Sequence, residues 1–120
     1  MLILARAWSI LKKVIWNTKA RDFVRELDLE TKKEIGSLIM ILQSGELLGE
    51  PQSKTMKAIH RNAFELRIKD PKGIYRIIYV LALKDKILIP HGFKKKTQKT
   101  PKKEIDLSIS RLKELLDENK

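Results

Sequence analysis

The chain has 120 residues, no cysteine and a formal net charge of +11 at pH 7. This length predicts one domain with a core of its own, and the lack of cysteine excludes disulfide bridges and thiolate metal sites within the chain. The basic surplus is concentrated in residues 51–103, which carry 15 basic and 3 acidic side chains. Because a localised positive field attracts nucleic acid, an acidic protein or an anionic membrane, we expect a polyanionic partner.

The first eleven residues are apolar except for Arg6 and a serine. Two interpretations of residues 1–10 stay open, a short amphipathic helix or an extension upstream of the natural start. We therefore expect an N-terminal extension over residues 1–11 and a single domain over residues 12–120. No apolar run reaches the roughly 18 residues that span a bilayer, and a basic leader and a small-residue cleavage site are lacking. A cytoplasmic protein without a membrane partner is expected.

A strand and a short helix are predicted first. Residues 12–18 contain β-branched and aromatic side chains, which favour a strand. Asn17 or Thr18 can cap a helix that runs through Leu27.

The next segment is the clearest helix of the chain. Its apolar stripe consists of Ile35, Leu38, Ile39 and Leu42. Thr31 and Glu34 have the spacing of a capping box, although Asp28 is an equally good start. Gly45 predicts the end of the helix.

Residues 64–79 alternate apolar and polar side chains on both sides of a turn, Asp70 to Gly73. This pattern predicts an antiparallel hairpin in which Arg67 faces Arg76 directly. Two arginines opposite each other repel, so we expect a bound anion between them.

A third strand follows the turn at Lys84 and Asp85, and we expect it to pair with the hairpin. Pairing across that turn places Ile89, His91, Phe93, Lys95 and the start of the run Lys94–Lys96 on the face of the two arginines. Pro90 favours an edge or a bulge near His91. The predicted fold is α+β, a small antiparallel sheet with helices packed on one face.

A last helix is predicted from Thr100 onwards. Thr100 is its expected cap and Pro101 its first position. The apolar stripe of this helix is Ile105, Ile109, Leu112 and Leu116. Its terminal position leaves it free to pack on the sheet or to be displaced.

The cluster of cations on one sheet face suits phosphodiester cleavage in RNA without a metal or cofactor. The substrate supplies the 2′-hydroxyl nucleophile, guanidinium groups stabilise the charge on the phosphate, and one side chain moves the protons. The candidate catalytic residues are Arg67, Arg76, His91 and Lys95, and the candidate RNA-binding residues are Lys54, Lys57, Arg61, Lys94, Lys96 and Lys99. His91 is the expected proton-transfer group, with Lys57 or Lys95 as alternatives. Glu65 is expected to orient Arg67, with a general-base role as the alternative.

Several segments resemble the RelE/ParE toxin superfamily, in particular its phage-related HigB-like branch. The segments are 51–57, 65–67, 75–79 and above all 91–101, which reads HGFKKKTQKTP. The resemblance covers roughly residues 12–118 and implies a RelE-like α+β fold. It also implies a toxin that cuts mRNA in the ribosomal A site beside the 16S rRNA and is silenced by a cognate antitoxin.

The resemblance assigns a catalytic role to Arg76. It also assigns one to a lysine within residues 94–96, and Lys95 is the best match. The chain departs from the RelE pattern in two places. Ala63 and Glu65 stand where RelE has lysines, and no tyrosine lies close to Thr100. Lys54, Lys57 and His91 are the available substitutes for proton transfer. Two alternatives stay open, a ParE-like gyrase inhibitor without catalysis and an inactive relative that binds RNA or antitoxin.

Overall fold

The computed structural model describes residues 11–95 and 99–119. The strands are β1 (Lys13–Trp16), β2 (Ser53–Thr55), β3 (Ala63–Asp70), β4 (Gly73–Val80) and β5 (Lys86–Lys95), and the helices are α1 (Thr18–Arg25), α2 (Leu29–Gln43) and α3 (Lys102–Glu118). The two interpretations of residues 1–10 and the predicted RNA-binding role of Lys96 lie outside the described residues.

The five strands form one sheet in the order β1-β5-β4-β3-β2. Strand β1 runs parallel to β5, and the other three neighbouring pairs are antiparallel. The predicted α+β fold is confirmed, but the sheet is mixed instead of purely antiparallel. The alternation of apolar and polar residues identifies a strand but not the strand beside it. The sequence pattern therefore could not predict that β1 pairs in parallel with β5.

Strands β3 and β4 form the hairpin in the predicted register, and Arg67 pairs directly with Arg76. At the turn, the Asp70 carboxylate accepts a hydrogen bond from the backbone N–H of Lys72 at 2.7 Å. Gly73 has a φ of +150°, a backbone conformation that residues with a side chain rarely adopt. The local chemistry of the turn thus sets the register that brings the arginines together.

Helices α1 and α2 cover one face of the sheet. The buried residues of this face are Ala20, Ile35, Leu38, Ile39, Leu42, Leu66, Ile68, Tyr75, Ile77, Tyr79, Ile87 and Ile89. The stripe predicted for α2 is confirmed as part of this core. We call this side of the sheet the α1/α2 face.

Side-chain caps begin both helices. The Asn17 carboxamide accepts the backbone N–H groups of Lys19 and Ala20 at 2.9 and 3.1 Å. Asp28 caps α2 by accepting the Thr31 N–H at 2.8 Å, and this hydrogen bond lowers the pKa of the Asp28 carboxyl. Of the two predicted starts of α2, Asp28 is therefore the one observed.

Helix α3 packs on the opposite face, which we call the α3 face. The apolar residues buried there are Ile59, Ala63, Ile78, Val80, Leu88, Phe93, Leu112 and Leu115. The expectation that all helices share one face therefore does not hold for α3. The strands carry apolar residues on both faces at the β5 side of the sheet, and α3 buries the second set.

The pairing of β4 with β5 shifts by one residue between Ile78 and Val80. Ile89, predicted on the arginine face, consequently packs in the α1/α2 core, so that prediction is wrong. His91 lies on the α3 face as predicted, since it contacts α3. Pro90 precedes His91 and lacks a backbone N–H, which favours such an irregularity.

Candidate nucleic-acid interface

A buried carboxylate lies between the two opposed arginines. Glu65 is 0% exposed and accepts a hydrogen bond from Nη1 of Arg76. Nε of Arg67 lies 3.4 Å from the same oxygen. The arginine pair therefore does not need a bound anion to relieve its repulsion, because Glu65 supplies a negative charge from within the sheet. Opposite charge beside two cations relieves their cross-strand repulsion.

The two arginines differ in their access to solvent. The side chain of Arg76 is 0% exposed, whereas that of Arg67 is 22% exposed. A ligand at the surface therefore meets the guanidinium of Arg67 and not that of Arg76. Arg76 influences this surface through Glu65, which is bound by both arginines.

Thr100 completes the surroundings of Glu65. Its hydroxyl donates to Oε2 of Glu65 at 2.7 Å. The predicted helix cap is therefore wrong: Pro101 is the N-cap of α3, and no side-chain hydrogen bond caps the helix there. Thr100 instead joins the start of α3 to the arginine pair. Sequence reasoning missed this contact because no local pattern relates residues 35 positions apart.

Helix α3 covers His91, which is 5% exposed. Nε2 of His91 lies 3.1 Å from Oε1 of Glu104, and Nδ1 lies 2.8 Å from Nη1 of Arg111. Because a guanidinium only donates hydrogen bonds, Nδ1 is the acceptor and Nε2 carries the proton. Burial lowers the pKa of His91, and Arg111 acts in the same direction against Glu104. Both ring nitrogens are thus engaged with α3, away from solvent.

A cavity of about 200 Å³ opens beside Glu65. It is lined by Lys54, Met56, Glu65, Arg67, Lys99, Thr100 and Ile105. Lys54 reaches it because β2 pairs this residue with Glu65. The cavity thus brings together three predicted site residues, Lys54, Arg67 and Lys99, next to apolar walls. We call it the arginine cavity.

Among the other predicted cations that the structure describes, four do not line the arginine cavity: Lys57, Arg61, Lys94 and Lys95. Lys57 and Arg61 are exposed between β2 and β3. Lys95 pairs with Ile74, two ladder positions from the pairing of Arg76 with Phe93 and therefore on the same face of the sheet. Lys94 lies on the α1/α2 face, with its ammonium group 5.3 Å from the centre of the Tyr75 ring. The expectation that it shares the arginine face is wrong, because successive strand residues point to opposite faces.

Residues 11–95 and 99–119 hold no group of three or more histidine, aspartate or glutamate side chains placed to bind a metal ion. In the same part of the chain, no helix has the length and apolar character needed to cross a membrane. On the α3 face, the arginine cavity combines three cations with one buried carboxylate, that of Glu65.

Comparison with solved structures shows the fold. The chain is similar to a free-state, double arginine-to-alanine variant of the E. coli toxin RelE, with a TM-score of 0.59 and 12% sequence identity. The match covers 85% of this chain and 98% of that chain. The RelE-like fold implied by the resemblance is therefore confirmed, whereas the HigB-like branch stays a prediction.

No curated protein matches the chain. A family model described as "Phage derived protein Gp49-like (DUF891)" matches residues 22–113. This match extends from α1 to α3 and contains the whole β3–β4 hairpin with Glu65, Arg67 and Arg76. The chain belongs to the phage-derived Gp49-like protein family.

Proposed function

We propose that this protein is the toxin of a type II toxin–antitoxin module and inhibits translation as a ribosome-dependent mRNA endonuclease. The observation that carries the proposal is the arginine cavity on a RelE-like fold. There Lys54, Arg67 and Lys99 converge beside a buried carboxylate. Convergent cations next to apolar walls suit a phosphate and its nucleoside better than they suit a flat protein surface.

The proposed reaction is attack of the RNA 2′-oxygen on the adjacent phosphorus. The new O2′–P bond forms as the P–O5′ bond breaks, and the proton lost by the 2′-hydroxyl is balanced by one gained by the leaving oxygen. Arg67 stabilises the charge on the phosphate oxygens, and Lys54, which lines the same cavity, transfers protons. Lys99 binds the neighbouring phosphate.

In this proposal Arg76, Glu65 and Thr100 are positioning residues. Arg76 is buried and bonds Glu65, and Glu65 in turn lies beside Arg67 Nε. Because Glu65 already restricts the orientation of the Arg67 guanidinium, the guanidinium loses less conformational freedom when it binds a phosphate, and this favours binding. Arg76 acts through Glu65 and Arg67, so we assign it no contact with RNA.

The test is primer extension on an mRNA held in programmed ribosomes, compared with the same mRNA alone. We expect cuts at the A site only when ribosomes are present, and Arg67→Ala should abolish them. Arg21→Ala is the matched control, because Arg21 is an exposed arginine on α1 outside the arginine cavity. Cuts on naked mRNA would show a ribosome-independent nuclease, and full activity of a folded Arg67→Ala variant would exclude the proposed site.

A ParE-like inhibitor of gyrase is the second candidate. It is favoured by the state of His91, whose two ring nitrogens are both engaged with α3. An inhibitor that only binds its target needs no proton-transfer group. DNA supercoiling by gyrase in the presence of the protein distinguishes the two candidates: inhibition of supercoiling without cuts in ribosome-bound mRNA would establish the second.

We further propose a cytoplasmic antitoxin partner with an acidic or amphipathic segment. The positive surplus of residues 51–103 favours such a partner, which would cover the basic surface or displace α3. Co-purification from cells that express both proteins tests this proposal. The complex should weaken as salt rises if charge supplies most of the affinity.

A further inference from the structure

A second cavity, of about 320 Å³, shares Arg67 with the arginine cavity. It is lined by Glu34, Pro51, Gln52, Arg67, Lys69 and Ile74. Its volume falls in the range of about 300–1,000 Å³ that is usual for small-molecule pockets. We call it the edge cavity.

The edge cavity exists because β2 is shorter than β3. The β2 pairing reaches only Ser53 opposite Leu66, and one further backbone bond joins Arg67 N–H to Gln52 O at 2.9 Å. From Arg67 to Lys69 the edge of β3 therefore has no β2 partner. The cavity lies at this open edge, next to Glu34 of α2.

The lining combines apolar surfaces with hydrogen-bonding groups. Pro51 and Ile74 offer apolar surfaces on which a flat ring can stack. The Gln52 carboxamide offers a donor and an acceptor, and the Glu34 carboxylate offers acceptors. Among residues 11–95 and 99–119, neither the Gln52 nor the Glu34 side chain has a hydrogen-bond or ion-pair partner. Their polar groups are therefore available to a ligand.

We propose that the edge cavity is a nucleobase subsite for the nucleotide whose phosphate binds Arg67. The inference rests on the proposed function and assigns it a second, base-reading contact. Arg67 lines both cavities. A nucleotide whose phosphate binds Arg67 in the arginine cavity therefore has the edge cavity next to it, where its base can lie. Single-stranded RNA is read in this way, by stacking of a splayed base and hydrogen bonds to its edge.

The polar groups of the edge cavity also define which bases fit. A carboxylate accepts hydrogen bonds and does not donate them, so Glu34 favours bases with an exocyclic amino group. The Gln52 carboxamide complements adjacent donor and acceptor atoms, such as those of adenine. Uracil has a single Watson–Crick-edge donor, N3–H, between two carbonyl oxygens, so a carboxylate that accepts from N3–H lies next to a carbonyl oxygen that repels it. Adenine, cytosine and guanine are therefore favoured over uracil.

The test is the affinity of the full chain for non-cleavable 2′-O-methyl hexanucleotides, measured by fluorescence anisotropy at one fixed, low salt concentration. The probes are oligo-A, oligo-C, oligo-U and an abasic hexanucleotide. We expect the A and C probes to bind about tenfold more tightly than the U and abasic probes. Gln52→Ala and Glu34→Gln should reduce this difference, and Arg67→Ala should weaken all four probes alike.

Glu30→Gln is the matched control for Glu34→Gln. It removes the same charge from an exposed position one turn earlier in α2, outside the edge cavity. Equal binding of all four probes by the folded protein would overturn the subsite, and so would unchanged discrimination in both cavity variants. Failure to bind any probe would also overturn the base subsite. If the protein nevertheless cuts ribosome-bound mRNA, the proposed function is still supported.

Discussion

The two faces of the sheet are made by the same alternating strands but hold different interactions. The α1/α2 face buries apolar side chains from α1, α2, β3, β4 and β5. The α3 face changes along its width from an apolar patch under α3, through the buried Glu65–Arg76 pair, to exposed cations. Apolar burial is favourable without a specific partner, whereas a buried ion pair roughly balances its own desolvation. We infer that the α1/α2 face supplies stability, and that the α3 face positions Arg67.

Glu65→Ala should give the largest effect, because it leaves Arg76 buried without its carboxylate partner. We expect a loss of about 3–5 kcal/mol in the free energy of unfolding. Urea denaturation measures the loss. The control is Glu65→Ala combined with Arg76→Met, which removes both charges and should be clearly more stable than the single variant. If the double variant is as unstable as Glu65→Ala, the loss comes from side-chain packing and not from the unpaired charge of Arg76.

Gly92→Ala tests the close packing of the α1/α2 face. An added Cβ would lie 2.7 Å from Cδ2 of Phe23 and 3.1 Å from Cδ1 of Ile77. We expect a loss of about 1–3 kcal/mol from overpacking. Gly36→Ala is the matched control, since nothing lies within 4 Å of its added Cβ and alanine is the better helix former. Thermal unfolding should separate the two variants, and equal melting temperatures would contradict this account.

The anchoring of α3 on His91 predicts a pH dependence. Burial and Arg111 lower the pKa of His91 below 6.5, against the effect of Glu104. The unfolded chain therefore binds the proton at a higher pH than the folded chain. Stability should be fully present above about pH 6.5, fall as the pH drops below it, and level off once the folded state is also protonated. Chemical denaturation across this range checks the slope, which His91→Gln should reduce. An unchanged slope in that variant would assign the effect to other groups.

Arg67→Ala should have the smallest effect on stability. Arg67 is partly exposed and its ion pair with Glu65 is long, so we expect a change within about 1 kcal/mol. Its effect should appear in RNA binding, as a reduction of about one in the slope of log affinity against log salt concentration. Melting curves and anisotropy titrations measure the two quantities. If the Arg67→Ala variant unfolds, this prediction is contradicted, and Arg67 is a structural residue like Arg76.

Local patterns predicted the parts of the fold that short-range interactions determine. The turn at Asp70 and Gly73 specified the register of the hairpin and hence the pairing of Arg67 with Arg76. Asn17 and Asp28 were recognisable caps. Each depends on residues close in sequence, where spacing translates directly into geometry.

The identity of the anion between the arginines was not predictable in the same way. The spacing predicts Glu65 as a partner of Arg67, but no local pattern indicates that the Glu65 carboxylate is buried against Arg76. The contact of Thr100 with Glu65 and the cover of α3 over His91 depend on how a distant helix packs. The displacement of Ile89 depends on an irregularity that has no fixed sequence position.

The sequence by itself determined the α+β class, the charged segment and the opposed arginines, because turn chemistry and alternation act over a few residues. Only the tertiary structure decided which arginine reaches solvent. Arg67 lies at the open side of the sheet, whereas Arg76 lies in the row between Arg67 and Phe93. Exposure depends on which strands and helices flank a residue, and that is a property of the packed chain.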